Sequence, residues 1–401
     1  MSVYTILYVA EFPFTHRETA RFRDLDPMGH VNNSVYVTWI ETAQDIGVEV
    51  DGIGGEFNAF TGKEYTGYYV RCAADFRDIA LDVLVDMLRN SKFEPDEIER
   101  EKGVIVEEMN MYYDTPRDFI GGVYEQLLYG DQPLGWDIIG RKETVTGATR
   151  ETFLDYVGHW YKPTRMVVGL GGQLGDGLLA RIEELLGDLE NDPTGEPAPT
   201  DLSAVDGTRV KIHQKQSDQA HLCLGVGSYP LVHPDRYAIQ LLATVLGTGM
   251  SSRLFTEVRE RRGLAYYVFA INHSYTDAGS LYAQAGVDIA RADEAVRTIV
   301  AELKKIAEDP VAQEELEKSR NLAKGRFLLQ LENPQGMIMF GLRREVLEGR
   351  ATNPQEVLDG LDAVTAEDVQ RVARDIIAEE RLRLALIGPF EDAEPFEALL
   401  A

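Results

Sequence analysis

Cysteine, basic side chains and long apolar runs are all scarce in this sequence of 401 residues. Cys72 and Cys223 are its only cysteines, which excludes a disulfide framework and indicates a reducing compartment, so we expect a cytoplasmic protein. The 40 Lys and Arg residues face 67 Asp and Glu, and the net charge of -27 argues against nucleic acid or anionic membrane partners. No stretch approaches the ~20 apolar residues of a membrane span. The apolar run Tyr4–Ala10 follows no basic residues, which predicts a strand rather than a signal peptide.

What is present is a weak internal repeat, interrupted by a polar segment. The segment Asn191–Gly207 carries three prolines and predicts a linker. Glu97-Ile-Glu-Arg matches Glu315-Leu-Glu-Lys at an offset of 218 residues, and Thr115-Pro116 matches Asn333-Pro334 at the same offset. A constant offset indicates a duplicated fold of mixed helices and strands. Hydrophobic residues make up 44% of the chain, which is enough for two cores.

Hydrophobic periodicity predicts the main elements of both copies. We predict helices over Phe76–Asn90, Pro95–Tyr113, Asp235–Leu246, Ser251–Arg261, Ala292–Ala307 and Ala312–Glu332. We predict strands over Glu64–Cys72, Met166–Leu170, Ala220–Val226, Ala265–Ile271 and Gly279–Val287.

Two carboxylates stand out on the predicted helix Asp96–Tyr113. Glu101 and Glu108 each follow three residues after an isoleucine, Ile98 and Ile105, and so share the apolar stripe of the helix. A charge on a core face is costly unless it is paired or binds a cation. The pattern leaves two interpretations open, which are a hydrated margin of the helix and a metal-binding or catalytic carboxylate site.

Three segments resemble the M16 family of metallopeptidases, which includes insulinase and the processing peptidases. They read EREKGVIVEEMNMYYDTP from Glu99, GGEFNAFTGKEYTGYYV from Gly54 and GMSSRLFTEVRERRGLAYYVF from Gly249. The resemblance extends from about Ala43 to Ala401. It implies tandem α/β domains and a zinc-dependent endopeptidase acting on peptides or unfolded proteins.

In the first half, the resemblance implies that Glu108 is the third zinc ligand and that Glu101 is a second, catalytically supporting carboxylate. It also implies that Asn58 and Ala59 lie on an edge strand that takes up the substrate by strand addition. Backbone hydrogen bonds hold an extended peptide in this mode with little demand on its sequence. Without the resemblance, Asn58 would be interpreted as an ordinary turn residue.

In the second half, the resemblance implies that Arg259 and Tyr266 bind the substrate carbonyl and stabilise the oxyanion. Without it, Arg259 would be interpreted as a solvated charge and Tyr266 as a core side chain. Short M16 chains of this size form pairs, and in some pairs one subunit holds the zinc while the other supplies the arginine and tyrosine. We therefore expect a homodimer or a heterodimer with another M16 subunit.

The zinc-binding helix of the family is missing from the sequence. Its motif His-x-x-Glu-His places two histidines on one helix face and a glutamate as general base. Family spacing puts that motif near residues 28–32, where Met28, Val31 and Asn32 would occupy the histidine, glutamate and histidine positions. The motif spacing does not occur anywhere in the chain. Glu108 alone cannot hold zinc tightly, and water without zinc keeps a pKa near ~16 rather than ~7. We therefore expect no zinc binding and no peptide hydrolysis by this chain alone.

The segment in its place, Phe12–Thr42, resembles the start of hot-dog acyl-CoA thioesterases of the 4-hydroxybenzoyl type. It contains Asp-Leu-Asp-Pro-Met-Gly-His-Val-Asn-Asn, in which Asp26 matches the catalytic carboxylate of that family. The resemblance implies acyl-CoA hydrolysis as an alternative function. A complete hot-dog domain needs well over 100 residues, of which this segment supplies about 30, and His30 is interpreted as a loop histidine.

We predict an α+β protein with tandem M16-type domains, whose first copy lacks its N-terminal strands and zinc helix. The expected domains are a thioesterase-like segment (1–42), a truncated first domain (43–190), a linker (191–207) and a second domain (208–401). We expect peptide binding without independent catalysis. The alternatives are a thioesterase, a non-catalytic subunit of an M16 pair, and a chain formed at the junction of two unrelated genes.

Overall fold

The computed structural model of the protein describes residues 2–8, 49–190 and 199–401. Asp26, positions 28–32 and residues 191–198 of the predicted linker lie outside the described residues. The chain divides into two compact units. The first unit is formed by described residues of Met1–Asn110, Asp137–Ala198 and Leu328–Thr352, and the second by those of Met111–Trp136, Pro199–Phe327 and Asn353–Ala401.

Strands and helices are numbered in chain order. The strands are β1 (Ser2–Tyr8), β2 (Glu56–Thr61), β3 (Tyr65–Arg71), β4 (Met166–Gly171), β5 (Val210–Gln214), β6 (Ala220–Ser228), β7 (Ala265–Ser274), β8 (Gly279–Val287) and β9 (Arg383–Gly388). The α-helices are α1 (Arg77–Arg89), α2 (Pro95–Asp114), α3 (Pro116–Tyr129), α4 (Lys142–Gly147), α5 (Arg150–Trp160), α6 (Leu178–Leu186), α7 (Arg236–Gly247), α8 (Ala292–Glu308), α9 (Gln313–Gln330), α10 (Pro334–Glu348), α11 (Pro354–Ala363), α12 (Ala366–Ile376) and α13 (Glu394–Glu397). Within the described ranges, none of these helices is long and apolar enough to cross a membrane.

The predicted helices are confirmed to within two residues, with one exception. We predicted an ordinary helix over Ser251–Arg261, whereas the structure has a π-helix over Phe255–Arg261. The wider π turn shifts each side chain around the helix axis relative to an α-helix. This correction matters because the segment carries Arg259.

The first sheet has the strand order β2-β3-β1-β4. β2 and β3 form an antiparallel hairpin, and β1 runs parallel to both β3 and β4. We expected the first copy to lack its N-terminal strands, but the described residues include β1 ahead of residue 43. β1 runs parallel to both of its neighbours, whereas β6, which holds the corresponding place in the second sheet, runs antiparallel to both of its own.

The core of the first unit lies between the first sheet and α1. The spacing of Leu81, Leu84 and Leu88 places all three on one face of α1, where they are buried. They pack in one cluster with Tyr68 and Val70 of β3. The hairpin β2–β3 is thus anchored to a rigid layer through β3.

The second sheet has the order β5-β9-β6-β8-β7, with β7 at an edge. Helix α3 packs on this sheet, where Ile120 and Tyr124 join Cys223 of β6 and Ile387 of β9 in one buried cluster. Helix α3 therefore belongs to the second unit, although it follows Thr115-Pro116 in the first half of the sequence.

Helix α10 shows the reciprocal arrangement. It follows Asn333-Pro334 in the second half of the sequence but belongs to the first unit. A Cβ added to Gly169 in β4 would lie 2.9 Å from the side chain of Leu342 in α10, so the glycine permits close packing of this helix on the sheet. Each unit is completed by a helix from the other half of the sequence.

Candidate functional site

The two carboxylates of α2 differ in their surroundings. Glu101 is 8% exposed and lies in the buried stripe formed with Ile98, Ile105 and Met109. Burial raises the pKa of Glu101, nearby Arg100 opposes this effect, and the carboxylates of Glu97 and Glu108 add to it. Glu108 is exposed. Glu108 follows Glu101 by seven residues, the same spacing that separates the buried Ile98 and Ile105, so the helical period alone does not account for its exposure.

The donors on α2 do not form a metal site with other described residues. In residues 49–190 and 199–401, no group of three or more His, Cys, Asp or Glu side chains is placed to hold a metal ion. The exposed carboxylate of Glu108 thus has too few companion donors there for zinc, which takes three or four protein ligands. The positions expected for the family's histidines, Met28 and Asn32, lie outside the described residues.

Strand β2 is an edge strand, with β3 as its neighbour among the described strands. The amide of Gly62 donates to the carbonyl oxygen of Tyr65 over 2.8 Å at the hairpin turn, so this is a hydrogen-bonded pair. Bonded and non-bonded pairs alternate along an antiparallel ladder. Counting back from the turn, the amide and carbonyl groups of Phe57, Ala59 and Thr61 point away from β3 to the open edge.

Asn58 and Ala59, the two predicted substrate-binding residues, therefore present different groups. The backbone of Asn58 points toward Tyr69 in β3, whereas the backbone of Ala59 points to the open edge. The side-chain Oδ1 of Asn58 accepts a hydrogen bond of 2.8 Å from the amide of Ala59. The outward N–H of Ala59 is thus bonded to the side chain of Asn58, which would have to move before another strand could pair there.

A small aromatic surface lies beside this edge and was not identified from the sequence. The ring of Phe60 covers Gly67, where an added Cβ would lie 2.0 Å from the ring. The centroid of Phe60 is 6.0 Å from that of Tyr65 and 6.5 Å from that of Tyr69. The alternation of the strands and the short Lys63-Glu64 turn could have identified it, since they place Phe60 opposite Gly67.

Arg259 lies on the π-helix of the second unit. Its side chain is exposed, and its guanidinium carbon is 4.9 Å from the centroid of the Phe255 ring. The π-helix closes with a hydrogen bond of 2.8 Å from the amide of Leu264 to the carbonyl of Val258. Gly263 in this turn has a φ of 59°, a conformation that favours glycine. The nearby ring interacts with the guanidinium and limits its freedom.

Tyr266 lies on a β-bulge at the start of β7. The register pairs Ala265 with Val287 and Tyr267 with Gly286, so Tyr266 is the extra residue without a partner in β8. A bulge redirects a side chain and is common beside active sites. Tyr266 is 67% exposed. It therefore projects into solvent, which excludes the core-packing interpretation.

The structure places the predicted residues in two groups. Glu101, Glu108 and the Asn58–Ala59 edge belong to the first unit, and Arg259 and Tyr266 to the second. Within the second unit, a single tight turn joins the π-helix of Arg259 to the bulge of Tyr266. Asp26 lies outside the described residues.

Three known family models match this chain. Residues 38–141 match the family described as Insulinase (Peptidase family M16), and residues 147–323 match the Peptidase M16 inactive domain. Residues 10–51 match the C-terminal domain of acyl-ACP thioesterases, which supports the resemblance of the N-terminal segment to a thioesterase.

Similar proteins come from several bacteria. The chain is 35% identical over 353 residues to the uncharacterized zinc protease YmxG of Bacillus subtilis, covering 88% of this chain and 85% of that protein. It is 32% identical over 360 residues to an uncharacterized zinc protease of Streptomyces coelicolor, covering 88% and 78%. The fold matches a protease from Helicobacter pylori with a TM-score of 0.81 at 20% identity, covering 91% of each chain. It also matches a peptidase M16 inactive domain from Pseudomonas fluorescens with a TM-score of 0.78 at 17% identity, covering 89% and 88%. On these matches, the chain belongs to the M16 peptidase family.

Proposed function

We propose that this chain binds extended peptide segments by strand addition to β2 and does not hydrolyse them alone. The observation that carries the proposal is the outer edge of β2, on which no other described strand is paired. There the backbone groups of Phe57, Ala59 and Thr61 point away from β3, in the spacing that a new strand requires. The edge is rigid because β3 is anchored to α1 by a buried cluster. A rigid edge loses little entropy on binding.

Arg259 and Tyr266 form a separate proposed peptide contact, which lies within the second unit. Both side chains are exposed, and the arginine offers several N–H donors while the tyrosine offers one O–H. In this proposal they donate hydrogen bonds to a carbonyl oxygen of a peptide. The π-helix and the bulge support this role because each fixes the backbone in a direction that an ordinary helix or strand would not provide.

The absence of the motif His-x-x-Glu-His from the sequence supports the second half of the proposal. Without two imidazole donors and the general base, Glu108 has no set of ligands to complete. The chain would then act in the cytoplasm as the non-catalytic subunit of a pair, with a zinc-bearing M16 subunit supplying the hydrolytic step.

Fluorescence anisotropy tests the proposal. A panel of fluorescein-labelled, unstructured peptides should bind the purified chain, and the same peptides with N-methylated backbones should bind much more weakly. N-methylation removes the amide donors that a strand needs and leaves the side chains in place. Equal binding of both panels, or binding of neither, would contradict strand addition.

A thioesterase is the second candidate function, because a thioesterase family matches residues 10–51. We expect no acyl-CoA hydrolysis, since the segment is too short for a complete hot-dog domain. An assay with 4-hydroxybenzoyl-CoA tests this expectation. Turnover that is lost in Asp26→Ala would establish the thioesterase and displace the first proposal.

A further inference from the structure

Tyr267, the neighbour of the exposed Tyr266, is held by contacts on several sides. Its hydroxyl lies 2.8 Å from Nδ1 of His221 in β6. The guanidinium carbon of Arg117 in α3 lies 4.5 Å from the centroid of its ring. The ring of Phe269 stacks beside it with centroids 5.8 Å apart and planes at 25°. The first two contacts come from other elements of the second unit, β6 and α3, and the third comes from the same strand, β7.

Gly286 on β8 provides the surface on which this ring lies. A Cβ added to Gly286 would approach the Cε1 atom of Tyr267 to 2.4 Å, so any larger residue would displace the ring. Gly286 is also the residue paired with Tyr267 across the ladder. Burial raises the pKa of Tyr267 to about 12, as expected for a phenol enclosed by the protein.

The sequence Tyr266-Tyr267 makes the position of the bulge ambiguous. Two identical side chains stand next to each other. A shift of the bulge by one residue along β7 would exchange their environments, because successive residues point to opposite faces. Local sequence preference cannot decide between the two registers. The contacts of His221, Arg117 and Gly286 decide between the two registers, because they accommodate one tyrosine ring and leave the other in solvent.

We infer that Tyr267 is a positioning residue that fixes the register of the bulge and thereby directs Tyr266 into solvent. This inference rests on the proposed function, in which Tyr266 contacts the peptide. Tyr267 itself would not touch the peptide. It would determine which of the two tyrosines is available to do so.

The register can be read without any peptide by tyrosine nitration. The full-length chain is treated with tetranitromethane, and peptide mass spectrometry assigns the nitro group to Tyr266 or Tyr267. We expect Tyr266 to be nitrated and Tyr267 to be protected. In Tyr267→Ala, the vacated site should accept Tyr266, so nitration of Tyr266 should fall several-fold. In Tyr267→Phe, which keeps the ring, nitration of Tyr266 should persist.

Gly286→Ala provides a second test that leaves both tyrosines in place. The added methyl should displace the ring of Tyr267 and move nitration toward that residue. Gly227→Ala in β6 is the matched control, because its added Cβ would lie 3.9 Å from the carbonyl oxygen of Gly279, an ordinary contact distance. Equal nitration of Tyr266 in Tyr267→Ala, Tyr267→Phe and the unmodified chain, with no change in Gly286→Ala, would overturn the inference.

Peptide binding then separates this inference from the proposed function. If Tyr267→Ala lowers both nitration of Tyr266 and peptide affinity while Tyr267→Phe preserves both, the inference and the proposed contact of Tyr266 are supported together. If nitration changes and affinity does not, Tyr267 positions Tyr266 but Tyr266 is not a peptide contact.

Discussion

Replacing Ala59 with proline removes a backbone donor from the open edge of β2 and leaves the ladder to β3 intact. The amide of Ala59 points away from β3, so its loss breaks no hydrogen bond of the sheet. Proline is tolerated on an edge strand when its nitrogen faces outward. Asn58, which precedes it, is already extended, as a residue before proline prefers to be.

The size of the effect follows from the bond that is lost. One backbone hydrogen bond contributes about 1 kcal/mol net, which corresponds to about fivefold in the dissociation constant. The proline ring also occupies the place where a carbonyl oxygen of the incoming strand would approach the amide. We therefore expect Ala59→Pro to weaken peptide binding about fivefold or more, with little change in the free energy of unfolding.

Fluorescence anisotropy and urea unfolding measure the two quantities on the same preparations. Ala59→Gly is the matched control for binding, because it keeps the N–H and should bind as the unmodified chain does. Asn58→Pro removes a backbone N–H that points toward β3 instead of away from it. Its loss should reduce the free energy of unfolding by about 1 kcal/mol or more. Unchanged affinity in Ala59→Pro would refute strand addition at this edge.

Two further substitutions test the fold around the site. Burial raises the pKa of Glu101, so its contribution to stability is present below the unfolded value of about 4.3 and is lost as the pH rises through the folded value. Glu101→Gln should therefore raise the free energy of unfolding at pH 7 but not near pH 4, as measured by urea unfolding. The same change at Glu107, which is exposed, removes no buried carboxylate and is the matched control at pH 7. Gly169→Ala should destabilise the protein by about 1–3 kcal/mol, because its Cβ would meet Leu342 of α10. Gly103→Ala lies in open space on α2 and should instead stabilise the protein by about 0.5–1 kcal/mol. A higher melting temperature for Gly169→Ala than for Gly103→Ala would contradict the assignment of α10 to the first unit.

The sequence was sufficient for the features that depend on local pattern. The bounds of α2 follow from its Pro-Asp-Glu start and its apolar period, and the structure confirms them to within one residue. Periodicity could not separate the π-helix at Phe255–Arg261 from an α-helix, because a segment of seven residues is too short to fix its period. It also placed Glu101 and Glu108 on one stripe, whereas the structure buries the first and exposes the second, a difference that the helical period does not contain.

Features that depend on distant packing could not be predicted. The exchange of α3 and α10 between the units is decided by contacts such as those of Gly169 with Leu342, which lie far apart in the sequence. The direction of β1 is a choice between parallel and antiparallel pairing, and its own apolar run is compatible with either. The choice of Tyr266 rather than Tyr267 as the exposed side chain depends on Gly286, which belongs to the next strand.

The zinc content of the purified chain, measured by mass spectrometry together with cleavage of a quenched fluorescent peptide, tests the account most directly. A chain with no pair of imidazole ligands should retain far less zinc than protein after dialysis and should leave the peptide intact. Stoichiometric zinc, with cleavage that stops on adding EDTA and returns on adding zinc, would contradict it.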